Sequence, residues 1–443
     1  MGLPLIRIRD VGAGVGPTTF FSGEYRAEFL VKQGDWLISM DGEFRVRPWH
    51  ATTALLNQRV TRLVFVAEEV HAAFVAAALQ RELTALQGTK AYTTVDHLSG
   101  KQIGEAVIAL PPANEQARIV ARVDELMRLC DALEAKGRLE TEQHARLLGT
   151  LLGTLTASGT PEELAANWQR VADHFDLLLD RPEAVAALEQ AILQLAVRGL
   201  LVHQDPGEEP AHALLLQIQS DKRSLLTYEK VKADKSSPPI NENEVRFALP
   251  PGWSWARLSD ICTAIVDCPH STAKFVDTGL LCLDTNSFKD GKLLPHKLRF
   301  VSQETFDERI ARLKPEPGDL VFAREGSVGQ SIIIPDGIEC CLGQRVMLFR
   351  LSQRLSNEFV RLAITTEDFL EVLLGLHKGI GAKHVNVADM RNAVVPVPPY
   401  REQERILARV SELRRLCADL RLRLSASQTT QAHLAEALVT EVA

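Results

Sequence analysis

Apolar residues fall at Ile119, Val123, Leu126, Cys130 and Leu133, in alternating steps of four and three. The same rhythm returns at Ile406, Val410, Leu413, Cys417, Leu420 and Leu424. Steps of four and three place side chains on one face of an α-helix in a heptad seam. Two prolines stand ahead of each run, where a helix can begin but not yet have lost a hydrogen bond. Asn114 can cap the first run. Glu115 and Glu402 fall in the first turn, where a carboxylate favours the positive end of the helix dipole. The spacing predicts helices from 114 to about 156 and from 401 to about 440, each roughly 60 Å long at 1.5 Å per residue. Gly137, Gly149 and Gly153 weaken the first and could interrupt it.

The two runs are copies. "LPPANEQARIVARVDELMRLC" (110–130) and "VPPYREQERILARVSELRRLC" (397–417) agree at 14 of 21 positions, without a gap, at an offset of 287. The duplication extends upstream. "VKQGDWLISMDGEF" (31–44) parallels "PEPGDLVFAREGSV" (315–328), with Gly34/Gly318, Asp35/Asp319 and Gly42/Gly326 in register. "NQRV" (57–60) parallels "GQRV" (343–346), and "HLSGKQIGEAVIALPP" (97–112) parallels "HVNVADMRNAVVPVPP" (384–399). The repeating unit is therefore a domain followed by a long helix. Within it, short apolar runs such as "WLIS", "DLVFA", "QSIIIP", "RVMLF" and "AVVPV" read as strands between turns. Helical patterns lie at "EVHAAFVAAALQREL" and "SNEFVRLAITTEDFLEVLL". The fold class expected is α+β with mostly antiparallel strands. The two long helices are expected to pair, each seam burying the other, and to join two larger units. Between the copies, "PEELAANWQRVADHFDLLL" and "PEAVAALEQAILQLAVRGLLV" read as further helices, and "KVKADKSSPPINENE" (230–244) as a polar linker.

Composition adds limits. With 443 residues, 46% hydrophobic and 24% charged, the chain can bury sizeable cores. No run of about 18 apolar residues suggests a membrane span, and "MGLPLIRIRD" is neither a secretory signal nor a myristoylation motif. A cytoplasmic location is expected. The seven cysteines form no CxxC pair, so reduced thiols are expected and a metal site is not. The net charge of −7 sits in one place: residues 111–248 carry 15 basic and 22 acidic groups, and the flanking regions are balanced. A basic face on a flanking region stays open.

Catalytic patterns fail on inspection. "VGAGVGPTT" (11–19) lacks the Lys-Ser/Thr of a phosphate loop. "VPVPPY" (395–400) has Val397 where an amino-methyltransferase motif needs a polar acceptor, and Ala113 replaces Tyr400 in the first copy. His97 and His384 match across the repeat, as structural residues do.

"LPP" with "EQARIVARVDELMRLCDALE" (115–134), then "QAILQLAVRGLLVHQDPGEEPAHALLL" and "LPPGWSWARLSDI" (249–261), closely resembles the specificity subunit of type I restriction–modification systems. The resemblance implies two target-recognition domains that each read half of a split sequence in double-stranded DNA. It implies that the two helices pair as an antiparallel coiled coil, set the distance between the halves and hold modification subunits, with restriction subunits joining them. S-adenosylmethionine, ATP and Mg belong to those partners; this chain would need no cofactor, catalyse nothing and touch no membrane. On this reading residues 1–110 are a first recognition domain, 111–200 a central helical spacer, 201–248 a linker, 249–397 a second recognition domain and 398–443 a C-terminal spacer helix. "PPGWSW" precedes Pro399 by about 149 residues, and the same count back from Pro112 passes residue 1. The first domain is therefore expected to be N-terminally truncated.

Arg, Lys and Gln near turns suit base edges and phosphates. The DNA-binding candidates are Arg45, Arg47, Gln58 and Arg59 in the first domain. In the second they are Lys274, Arg324, Gln344, Arg345, Lys378 and Lys383. Gln58/Gln344 and Arg59/Arg345 match across the repeat, which favours phosphate or structural roles for those four. Two other classes compete: a coiled-coil scaffold without DNA reading, and a DNA methyltransferase or nuclease.

Overall fold

The structure is a computed structural model. It describes residues 2–12, 16–67, 69–86, 98–229, 238–269, 271–375 and 384–442. The chain divides into two compact units, residues 1–140 and 141–443.

The first unit holds strands β1 (Leu3–Ile6), β2 (Phe20–Phe21), β3 (Leu30–Val31), β4 (Trp36–Ser39), β5 (Val46–Pro48), β6 (Ala54–Leu56) and β7 (Val60–Leu63). Helices α1 (Ala72–Leu86), α2 (Gly100–Gly104) and the start of α3 (Ala113–Thr156) follow. One sheet runs β2-β1-β6-β3 and another β5-β4-β7. Ile38, Phe44 and Val46 meet Ala76, Leu79 and Leu83 of α1, so α1 covers the second sheet.

The second unit opens with the end of α3, then α4 (Pro161–Asp173), α5 (Phe175–Leu178), α6 (Pro182–Val197) and α7 (Ala211–Glu229). After β8 (Ser254–Arg257), α8 (Leu258–Ile261) and β9 (Cys262–Asp267) come β10 (Phe275–Val276), β11 (Leu280–Leu283), β12 (Phe288–Lys289), β13 (Lys292–Leu293) and β14 (Arg299–Val301). Then follow α9 (Gln303–Ile310), β15 (Leu320–Ala323), β16 (Ser331–Ile333), β17 (Cys340–Leu342) and β18 (Val346–Leu351). The unit closes with α10 (Asn357–Ile364), α11 (Glu367–Gly375), α12 (Val387–Asn392), β19 (Val394–Val397) and α13 (Tyr400–Val442). Its main sheets run β10-β14-β11-β17 and β16-β15-β18-β9, and β8 pairs with β19.

The sequence repeat is a structural repeat. β2-β1-β6 matches β14-β11-β17, antiparallel then parallel in both. β5-β4-β7 matches β16-β15-β18, antiparallel throughout. Gly34 and Gly318 adopt φ of 93° and 90°, Gly42 and Gly326 φ of 69° and 71°. Glycine carries no Cβ penalty in this left-handed region, so these tight turns keep it in both copies. Asp35 accepts from the Lys32 amide and Asp319 from the Glu316 amide, each at 2.8 Å, and each takes an arginine from the neighbouring strand, Arg62 or Arg350.

Several expectations need correction. Gly137, Gly149 and Gly153 do not interrupt α3. The segment read as a linker contains α7, whose Ala211, Leu214 and Ile218 enter the largest core at steps of three and four. The helical pattern over "SNEFVRLAITTEDFLEVLL" is two helices, α10 and α11, divided where the Thr365 and Thr366 hydroxyls donate back to the Leu362 and Ala363 carbonyls. Such bonds compete with helix continuation. The seams also differ from expectation. Ile406, Val410 and Cys417 are buried, packed with α6 residues such as Leu193, Ala196 and Leu188 and with Leu148, Leu152 and Leu155 of α3. Ile119, Val123, Leu126, Cys130 and Leu133 are exposed.

Candidate nucleic-acid interface

In the second unit, β15 ends, β18 begins and β9 ends at the same edge of one sheet, since β15 and β9 both lie antiparallel to β18. The strand end Asp267 and loop residues Thr272, Lys274, Arg324, Glu325, Gln344 and Arg345 lie there. Backbone bonds lock the edge: the Arg324 amide donates to the Arg345 carbonyl, and the Val385 amide donates to the Arg324 carbonyl, both at 2.9 Å. Arg345 sits at φ 63°, a conformation that projects its side chain from a tight turn at some cost in strain. It is mostly exposed and its Nε lies 3.4 Å from Glu325. Arg324 is mostly buried, 3.1 Å from Asp267. Gln344 donates to the Thr272 hydroxyl at 3.2 Å. Buried Arg309 donates to the Leu342 and Ser271 carbonyls and so fixes the loop that bears Thr272 and Lys274.

The first unit builds the same edge from β4 and β7. The Met40 amide donates to the Arg59 carbonyl at 3.0 Å, and Leu98 to Met40 at 2.7 Å. Arg59 lies 3.3 Å from Asp41, the counterpart of the Arg345–Glu325 pair at 3.4 Å, and Gln58 beside it is exposed. Arg45 is held by Glu43, whose carboxyl lies below its ordinary range through that hydrogen bond and charge. Arg47 donates to the Val46 carbonyl and to Gln80. Gln80 in turn receives the Val46 amide and donates to the Phe44 carbonyl, clasping α1 to β5.

The structure thus brings Arg324, Gln344 and Arg345 to one edge, with Lys274 on an adjoining loop, and Gln58 and Arg59 to the matching edge. Arg324 is too enclosed by acid to reach outward and acts as a brace. Lys378 and Lys383 lie outside the described residues. Sequence reasoning missed the acids Asp41, Asp267 and Glu325; the aligned pairs Asp41-Gly42 and Glu325-Gly326 were the available signal. Among the described residues no cluster of His, Cys, Asp and Glu could hold a metal, and no helix is long and apolar enough to cross a membrane.

The profile of the type I restriction modification DNA specificity domain matches residues 18–143 and 285–426, one match in each copy of the repeat. This chain belongs to that family. Among its relatives is the Type I restriction enzyme EcoAI specificity subunit of Escherichia coli, 34% identical over 337 residues. The EcoEI specificity subunit of Escherichia coli is also 34% identical, over 355 residues. Each alignment covers 75% of this chain and 57% of the relative, so the chain spans little over half the length of these curated relatives. A solved type I restriction–modification chain, from work on complex assembly and conformational transition, shares the fold. Its TM-score is 0.54 at 18% identity, with 100% of this chain and 91% of that one covered.

Proposed function

We propose that this specificity-family chain reads double-stranded DNA through the two sheet edges and scaffolds modification and restriction subunits, without catalysis of its own. The observation that carries this reading is the duplicated edge. One framework of glycines, aspartates and strand pairings is kept in both copies, and the turn it presents differs: Glu43 and Arg45 in one, Ser327 and Gly329 in the other. A shared frame with divergent loops suits two modules that read different base sequences. Gln58, Arg59, Gln344 and Arg345, common to both, suit phosphate contact, which positions without specifying. Joining two readers makes the second contact intramolecular and strengthens two weak half-sites together. S-adenosylmethionine, ATP and Mg would enter with the partner subunits.

The spacer is read as α3 and α13 lying antiparallel with α6 between them. Support comes from the core they share, in which Leu148, Leu152 and Leu155 meet Cys417 and α6. Methylome sequencing of a host expressing this chain with its modification subunit tests the reading. A bipartite methylated motif is expected; a host methylome without any new motif, in the presence of active modification subunit, overturns it. Arg59→Ala and Arg345→Ala should each weaken DNA binding across sequences and reduce the salt slope by about one. Unchanged slopes would remove these residues from the interface.

A second reading, a scaffold that reads at most one half-site, is favoured by one observation. Among the described residues, the first unit has no counterpart of β8 or β9. Methylation at a lone half-site would support it.

A further inference from the structure

The first unit exposes three surfaces that its copy in the second unit covers, and all three covers come from one contiguous segment, residues 182–267. β18 carries β9 on its outer side; β7 has no outer neighbour among the described residues. β19 pairs with β8, whereas the matching stretch 107–110 forms no described strand, and Val107 is 84% exposed where Val394 is 7% exposed. At the helix starts, Ile406 is fully buried in a cluster with α6 and Trp253, and Ile119 is 38% exposed. Glu402 accepts from Trp253 Nε1 at 3.0 Å and Gln204 Nε2 at 3.1 Å, while the matching Glu115 is exposed.

A control lies one residue on. Gln116 and Gln403 are both buried. Gln116 donates to the Pro111 carbonyl and accepts the His71 amide; Gln403 donates to the Pro398 carbonyl and accepts the Ser356 amide. Those partners belong to elements present in both copies. Exposure in the first unit is therefore selective: it falls where the cover in the second unit comes from residues 182–267.

We propose that this face of the first unit docks a partner polypeptide with the chemistry of residues 182–267. That partner supplies an apolar helix for Ile119 and Val123, an indole donor for Glu115, and two strands for β7 and residues 107–110. A second copy of this chain is not the occupant, because its own segment is consumed by its own α13, β18 and β19. The surface is a composite of a strand edge and a helix groove, so it combines main-chain pairing with apolar burial. The inference stands independently of DNA reading.

The test adds a separately made polypeptide of residues 182–267 to the full chain and follows hydrogen exchange. Exchange at residues 60–63, 107–110 and 116–130 is expected to slow together by about tenfold or more. Ile119→Asp and Glu115→Lys, both on the exposed face, are expected to abolish that slowing and leave the second unit unchanged. Because an isolated segment can fail to fold, the same segment is also joined by a polar linker ahead of residue 1. Slowing at all three surfaces in either arm supports the docking face. No slowing in both arms, or slowing confined to the second unit, overturns it.

Discussion

Two carboxylates in the second unit have pKa values shifted in opposite directions. Glu244 is held down to about 2, first by its hydrogen bond from Arg257 and then by the Asn241 amide. Its stabilisation is therefore complete above about 4.5 and disappears as pH falls from there toward 2. Glu244→Gln should flatten the acid limb of the unfolding curve over that window. Arg257 is almost fully buried and also donates to the Pro238, Pro239 and Asn392 carbonyls. Arg257→Ala should cost about 3–5 kcal/mol, read from the denaturant midpoint. Glu402 is the reverse case. Burial raises its pKa despite the Gln204 and Trp253 donors. A raised folded pKa gives stability that is present below the ordinary value of 4.5 and lost as pH rises through the folded one. Glu402→Gln keeps an acceptor and removes the charge, so unfolding measured between pH 4 and pH 8 should lose that decline. At the candidate edge the arginines and glutamines were legible in the sequence, but their acid braces were not. Which carboxylate faces Arg324 depends on the pairing of β9 with β18, between segments about 80 residues apart.

For the helices, the heptad steps gave the existence and length of α3 and α13, because a 3.5-residue period needs nothing beyond local sequence. They could not give the partner. A periodic face says that something covers it, and the cover of the second seam, α6, was itself read only as one more helix. Matched positions now make a sharp comparison. Ile406→Ala should destabilise by about 2–5 kcal/mol, since it empties a packed site. Ile119→Ala should stay within about 0.5 kcal/mol, since the residue is exposed. Equal effects in chemical denaturation would mean that the first seam is covered in solution. The strands of the repeat were legible where a glycine turn fixed the register, as at Gly34 and Gly318. Strands as short as β2, β3, β12 and β13, two residues each, left no periodicity to read.

Across the whole molecule the repeat was the most legible feature, since 14 identities in 21 positions need no structural knowledge. The difference in cover between its two copies carries an energetic expectation. With β7 an edge among the described residues and Val64, Val66 and Val107 exposed, residues 1–110 should exchange and melt before residues 249–397. Hydrogen exchange along a urea series checks this, and a single cooperative loss of both regions would refute it. The seven thiols have a practical consequence. Six are buried, and Cys130 alone is exposed, midway along the uncovered seam between Leu126 and Leu133. Maleimide should therefore attach to the native chain at one position, without any engineered substitution. An environment-sensitive dye placed there would be wet while the seam is bare and would brighten when a partner seats on it, so the chain carries its own optical reporter of assembly.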